Sequence, residues 1–401
     1  MEASVDSRRS PGETFELGTA IRLRRIPVFA MSANAISAFP PFFGKNRQLS
    51  CGPLEAIEIE AADNTRLMLH HVSGGKRGPV LLSPGTAMSA LSYCIDTIPV
   101  NLVEYLVADG FDVWLFDWRT SPLLEAHERV YGLDDVAHYD WPAALTEVRA
   151  RTGAAQVSVL AHCLSSPAFL LSLVRGHLDP NSIRAFVASQ VALHLRLTGP
   201  GRMKVRLHLD SLLPRHEMVH QRPQDVKARI GDLAASFLAL VLPRSFKCDN
   251  RACRRHVATF GELILHSRIN RDTHELIGDL VPECLTGFLK DVALWARRET
   301  ILTEEDRQHL DRLKLPIYFL SGSENRMFLP ESTEDSFNLL CDLNGPEYYQ
   351  RKVYSGFGHL DCYFGMGAVE AIWPDLVAAL VSEPSSRLAN ESRRSSVAAG
   401  V

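Results

Sequence analysis

The sequence predicts an α/β fold: a mostly parallel sheet with helices on both faces and a helical cap insertion. Three observations predict it. Short apolar runs alternate with longer stretches of helical periodicity from about residue 55 to 190. The inner runs, such as PVLLS and VSVLA, are apolar without a polar face, as strands covered on both sides require. The rhythm stops near residue 195 and resumes at LPIYFLSG (315–322), leaving about 100 residues between that are helical in pattern and rich in Arg and His.

Taken in order, EAIEIE (55–60) and RLMLHH (66–71) flank the turn AADNT and read as a hairpin. PVLLSPG (79–85) is a buried strand ending in Pro-Gly. Leu91 to Asp109 has helical spacing, which Pro99 kinks or delays. DVWLF (112–116) is a strand. Residues 133–152 read as a helix with Pro142 as its irregularity. QVSVLAH (156–162) is a strand, followed by an apolar helix to about Val174, and RAFVASQ (184–190) is another strand. After the insertion come LPIYFLSG, a helix at 333–343, the strand YQRKVYSG (349–356) and a last helix near 367–381. The expected organisation is an N-terminal arm (1–50), a first core part (51–195), the cap (196–300), a second core part (301–383) and a disordered polar tail (384–401).

The 401 residues are 46% hydrophobic and 22% charged, ordinary for a globular protein, which excludes disorder for the bulk of the chain. Lys+Arg 43 against Asp+Glu 47 leaves a net charge of −4, so no global basic field exists to bind nucleic acid. Eight cysteines show no framework spacing and are expected as reduced thiols. Cys248 and Cys253 form the one local pair, and a metal site would want a second such pair, which the sequence lacks. No apolar stretch is long enough for a transmembrane segment. Residues 26–43 come closest, but Ser32, Asn34 and Pro40-Pro41 weaken a helix there. They read as an arm packed on the fold, or as a peripheral or lid segment. They begin too late for an ordinary secretory signal, so the expected location is cytoplasmic.

The chemistry centres on VSVLAHCLSSPAFLL. A hydrophobic strand runs through Ala161-His162-Cys163-Leu164-Ser165 into a helix, the pattern of a nucleophile elbow. Small residues are needed two before and two after the nucleophile, and Ala161 and Ser165 are the next smallest after glycine. Cys163 is the candidate nucleophile, since a helix N-terminus favours thiolate. The elbow order of nucleophile, acid, histidine places the histidine after the last strand, where SGFGHLD supplies His359. The acid follows the preceding strand, at Ser323-Glu324-Asn325. Glu324 is the candidate orienter of His359, with Asp361 as a rival that is expected to bond nearby backbone instead. The oxyanion hole needs the amide of Leu164 and a second from Ser83-Pro84-Gly85-Thr86-Ala87. Pro84 has no N–H, so Thr86 or Ala87 is the donor.

The segments LLSPGTAMSALSY, DVWLFDWRTS, LDDVAHYDWPAAL, SVLAHCLSS, CRRH, SGSENRMFLPEST and GFGHLDCYFG resemble the α/β-hydrolase superfamily. The likeness is to the hydrolase-like part of cholesterol-oxidase-like GMC proteins, and more distantly to acid lipases and polyhydroxyalkanoate synthases. It runs collinearly over about residues 50–380 and implies the α/β-hydrolase fold. By this resemblance Cys163 matches the nucleophile, His359 the histidine, and Glu324-Asn325 the acid loop. The chain departs from the family where Ser165 stands in place of Gly. The dinucleotide fingerprint of an oxidase is absent, so no cofactor is implied, although a separate flavin oxidoreductase is implied as a partner.

His216-Glu217-Met218-Val219-His220 matches the zinc-peptidase pattern H-E-x-x-H, but Pro214 and Pro223 leave barely two turns of helix for it. His70-His71 and the cluster Arg251, Arg254, Arg255, His256 read as solvated or salt-bridged faces, and Trp114 and Trp118 as sheet-edge packing. The expected function is acyl transfer through Cys163 on an ester or thioester of an apolar acyl group, as an esterase or thioesterase. The apolar run LAASFLALVL (233–242) in the cap suggests the acyl character. Acyltransfer by the same acyl-enzyme, and a non-catalytic partner module of an oxidoreductase, are the alternatives.

Overall fold

A computed structural model describes residues 47–242 and 248–382. Nearly all of the N-terminal arm, including 26–43, and the tail from 384 lie outside the described residues. The strands in chain order are β1 (Glu55–Glu60), β2 (Arg66–Val72), β3 (Pro79–Ser83), β4 (Asp112–Asp117), β5 (Val157–His162), β6 (Ile183–Ser189), β7 (Met218–His220), β8 (Glu283–Leu285), β9 (Ile317–Gly322) and β10 (Tyr349–Tyr354). Eight of them form one sheet in the order β1-β2-β4-β3-β5-β6-β9-β10. The β1–β2 hairpin is antiparallel, and β2 is antiparallel to β4. All pairings from β4 to β10 are parallel. Asn64 takes the left-handed conformation (φ 62°) that closes the hairpin turn.

Every residue of β3, β5 and β9 is buried, as the unbroken apolar runs foretold. Each Val, Leu or Ile so covered stabilises the fold by about 1.5–3 kcal/mol relative to exposure. Parallel neighbours need crossovers, and the helices Trp141–Thr152 and Ser165–Val174 supply them on either side of β5.

Proline decides where two expected helices break. The stretch 91–109 becomes a single turn, Ala90–Cys94, and a helix, Leu102–Ala108, with Pro99 between them. Asn101 and Glu104 cap the second piece reciprocally. Burial would raise the Glu104 carboxyl, but Arg47 and the amides of Ser50 and Asn101 hold it down to about 2. Before Pro142 the expected helix 133–152 widens into one π turn, Val136–Asp140. The wide turn absorbs the missing N–H and the ring clash that proline brings.

Between β6 and β9 the chain runs through the helices Gly199–Arg206, Ile230–Val241, Arg251–Thr259 and Thr286–Arg298 and the separate antiparallel pair β7–β8. Residues 218–220 are strand, not helix, so H-E-x-x-H lacks the one-faced helical geometry that zinc chemistry requires. His220 is engaged instead by Asp232 (2.8 Å) and Glu283 (3.2 Å), while His216 is exposed. Among the described residues no helix is long and apolar enough to cross a membrane.

Candidate active site

Strand β5 ends at His162 and the next helix starts at Ser165, so the chain must reverse within two residues. Cys163 does this in the left-handed region, at φ 55°. An L-residue there costs about 1–2 kcal/mol, which the surrounding ladder offsets. The Cys163 amide donates to the Ser189 carbonyl (3.1 Å), and the Cys163 carbonyl accepts from the Ser166 amide (3.0 Å). Ser165 fits without crowding, because its hydroxyl lies 2.5 Å from that of Ser83 on β3.

The amides of Leu164 and Thr86 reach the Cys163 sulfur, and each favours thiolate. Burial is the larger influence and pushes the thiol up to about 12. Thr86, rather than Ala87, supplies the second amide, and the left-handed turn at Ala87 (φ 63°) follows directly. Gly85 stands against the elbow: a Cβ there would lie 3.0 Å from the Cys163 Cβ and 3.6 Å from its sulfur. Gly85→Ala is therefore expected to displace the sulfur and lower kcat by roughly tenfold with KM little changed. Its stability cost is about 1 kcal/mol or more. Steady-state kinetics and a melting curve on the same preparation check both.

The loop after β10 carries His359, buried beside the elbow. Its orienter is not Glu324. That side chain is 44% exposed and pairs with Arg326 at 3.7 Å. The Glu324 amide donates to the Phe357 carbonyl (2.8 Å), which turns the following residue inward. Asn325, 1% exposed, holds the ring at 3.2 Å from its Nδ2 to His359 Nδ1. Asp361 serves backbone, accepting from the amides of Gly358 (2.7 Å) and Leu265 (3.0 Å).

The orientation of the Asn325 amide is assigned by its neighbours. Its Oδ1 accepts from the amides of Met327 (3.0 Å) and Phe328 (3.1 Å). Its Nδ2 donates to Gln190 Oε1 (2.9 Å), which also accepts from the Gly322 amide (3.1 Å). Gln190 is fixed in turn, since its Nε2 donates to the His359 carbonyl (3.1 Å). Asn325 thus donates to Nδ1, and neutral His359 carries its proton on Nε2. A second imidazole, His162, packs on it with ring centroids 4.6 Å apart. Its Nδ1 meets Ser189 Oγ at 3.1 Å, and its buried Nε2 has no hydrogen-bond partner among the described residues. Burial lowers both rings, His359 to about 3. At rest the thiol and both imidazoles are neutral.

Cys163, His162 and His359 open onto a cavity of about 510 Å³ whose lining is predominantly apolar, with Leu197, Leu213, Leu238, Phe288 and Val292 among its walls. The helix Ile230–Val241 roofs it: Ala234, Ala235 and Leu238 line the cavity, while Leu233 and Leu240 face solvent. Only one face of the run 233–242 therefore faces the cavity. Lys204 places an ammonium in this lining, donating to the Ala258 carbonyl (2.6 Å) and lowered to about 8 by burial.

Sequence reasoning missed the roles of Gln190, His162 and Lys204. Gln190 had a usable signal, since an uncharged amide at the end of a buried parallel strand faces the site that such strands converge on.

No family model matches the chain. Human lipase member K is 21% identical over 371 residues, covering 81% of this chain and 87% of the lipase. The poly(3-hydroxyalkanoate) polymerase subunit PhaC of Haloferax mediterranei is 23% identical over 329 residues, covering 79% of this chain and 62% of the synthase. Among solved structures, an esterase from Exiguobacterium antarcticum is 14% identical with a TM-score of 0.49, covering 81% of this chain and 99% of the esterase. The likeness to the hydrolase-like part of GMC proteins has no counterpart among these relatives. The match to the lipase spans most of the chain, whose strand order, with one antiparallel strand and a left-handed residue after β5, is described above. By that topology and those relatives the chain belongs to the α/β-hydrolase superfamily.

Proposed function

We propose that this enzyme, of the hydrolase or acyltransferase class, acts on an ester or thioester of an apolar acyl group through Cys163. The observation that carries the reading is the thiol itself. It sits on a left-handed elbow, within reach of the Leu164 and Thr86 amides, at the floor of an apolar cavity. The sulfur attacks the acyl carbonyl, the two amides receive the oxyanion, and the leaving alcohol or thiol departs with a proton. A thioester on Cys163 remains. Water then completes hydrolysis, and an alcohol, amine or thiol completes transfer. The relatives include a lipase and a synthase, which supports both outcomes.

Intact-mass measurement after incubation with a series of acyl p-nitrophenyl esters and acyl thioesters tests this. One acyl group per chain, mapped to Cys163, is expected. An unmodified chain with every acyl length overturns the reading.

The outer face of the roof helix adds a prediction. Leu233 and Leu240, 58% and 68% exposed, form an apolar stripe over the cavity. Such a stripe fits an enzyme that meets its substrate at a lipid surface. The double variant Leu233→Gln, Leu240→Gln is expected to lose about tenfold on an emulsified long-chain ester. Turnover of a soluble short ester stays near the parent rate. Parallel assays on the two substrates check it.

One observation favours a second reading, a non-catalytic acyl-binding protein. Asn325 presents an N–H donor to His359, so it opposes the imidazolium that a carboxylate would stabilise. That reading predicts saturable binding of an acyl thioester without turnover and without an adduct.

A further inference from the structure

The geometry points to a zinc site of two cysteines and two histidines in the cap, formed by Cys248, Cys253, His266 and His274. One ligand atom from each lies within 4.8 Å of every other. The Cys248 sulfur is 3.4 Å from His274 Nε2, and the Cys253 sulfur is 3.5 Å from His266 Nε2. A tetrahedral zinc, with Zn–S about 2.3 Å and Zn–N about 2.0–2.1 Å, separates a sulfur from a nitrogen by about 3.5–3.6 Å. The two observed spacings match two edges of that tetrahedron. The imidazoles of His266 and His274 meet edge to face, with centroids 4.9 Å apart. Two thiolates and two neutral imidazoles are the donor set of closed structural zinc sites, which keep no open position for substrate.

The surroundings support the ligands. Asn250 donates its amide N–H to the Cys248 sulfur (3.4 Å), as amides do towards metal-bound thiolates. Its side chain caps the helix that carries Cys253, and it also donates to the His274 carbonyl (3.1 Å). Three cap segments converge here: the start of helix Arg251–Thr259, the following loop, and helix Arg271–Glu275.

The loop carrying His266 is also laced to the loop carrying His359. The Leu360 amide donates to the Leu263 carbonyl (2.9 Å), and Arg268 donates to the Gly356 carbonyl (2.8 Å). Zinc would tie that loop to the helix whose end, Ala258 to Phe260, lines the cavity. Binding exchanges two thiol protons for one Zn²⁺. The role assigned to the metal is bracing of the cap, with no part in bond making.

The full-length protein, purified without chelator or affinity metal, tests the site. Elemental analysis is expected to give about one zinc per chain. After chelation, Co²⁺ is expected to restore a spectrum with thiolate charge-transfer bands and intense visible bands of tetrahedral cobalt. Cys253→Ser and His266→Ala are each expected to weaken Zn²⁺ binding by at least about 100-fold. His266 is exposed, so that variant keeps the test available where the cysteine variant does not fold. Protein that takes up no zinc after incubation with Zn²⁺ overturns the proposal. So does a cobalt spectrum without thiolate bands, or a mass two hydrogen atoms short from a Cys248–Cys253 disulfide.

Discussion

Cys163→Ala is expected to lower kcat/KM on acyl esters and thioesters by at least about 10³-fold while the fold survives. Of the two cysteines that line the cavity, Cys163 and Cys284, Cys163 is the one on the elbow, faced by the Leu164 and Thr86 amides. Stability should change by about 1 kcal/mol, because the lost atom is small and the left-handed strain persists for alanine. Circular dichroism and a melting curve separate loss of chemistry from loss of fold. The same thiol sets a pH dependence. Held at about 12 by burial, it is almost wholly protonated at neutral pH. Alkylation by iodoacetamide should therefore rise about tenfold per pH unit between pH 7 and 10 without a plateau. A plateau near pH 8 would mean that a neighbouring cation stabilises the thiolate, which the neutral imidazoles here do not.

Cys163 and His359 were legible in the sequence because each is fixed by punctuation. A buried strand passing straight into an apolar helix leaves only two residues, Cys163 and Leu164, for the turn, and the glycines of SGFGHLD mark a loop that curls inward. Ser83, invisible as a partner for Ser165, explains how a residue larger than glycine is held at the elbow. The acid position failed by one residue. Charge type favoured Glu324, but which loop side chain turns inward is set by a remote bond to the Phe357 carbonyl and by the local Met327 and Phe328 amides that hold Asn325. In the sequence, the Cys248–Cys253 pair without a second cysteine pair does not point to a metal. His266, on a loop, and His274, on the short helix Arg271–Glu275, complete the proposed cluster, and no cysteine spacing points to either. The apolar run 233–242 does not reveal its facing either: its helix has one face on the cavity and one exposed face.

Asn325→Asp is expected to raise kcat on a short thioester by about 10²-fold, the reverse of the roughly 10⁴-fold loss that serine proteases suffer when the triad Asp becomes Asn. In the parent, proton transfer from Cys163 to His359 would create an imidazolium whose Nδ1–H points at the Asn325 N–H group. Two donors then face each other in a buried site. Rotating the amide to avoid this would strip the Met327 and Phe328 amides of their acceptor and set two oxygens, of Asn325 and Gln190, against each other. A carboxylate keeps the first two bonds through one oxygen and accepts Nδ1–H with the other. It also moves the neutral ring's proton from Nε2 to Nδ1, leaving Nε2 free as a base. The gain stays below the full 10⁴ because the second oxygen must also lie near Gln190 Oε1, which repels it. The His359 pKa should rise from about 3, since the new charge opposes the desolvation that lowers it. Iodoacetamide reactivity of Cys163 should then acquire a plateau that the parent lacks. If Asn325→Asp instead abolishes turnover in a folded protein, the amide is itself a required donor. The chemistry at Cys163 would then proceed with His359 as a hydrogen-bond donor to the acyl carbonyl rather than as a base.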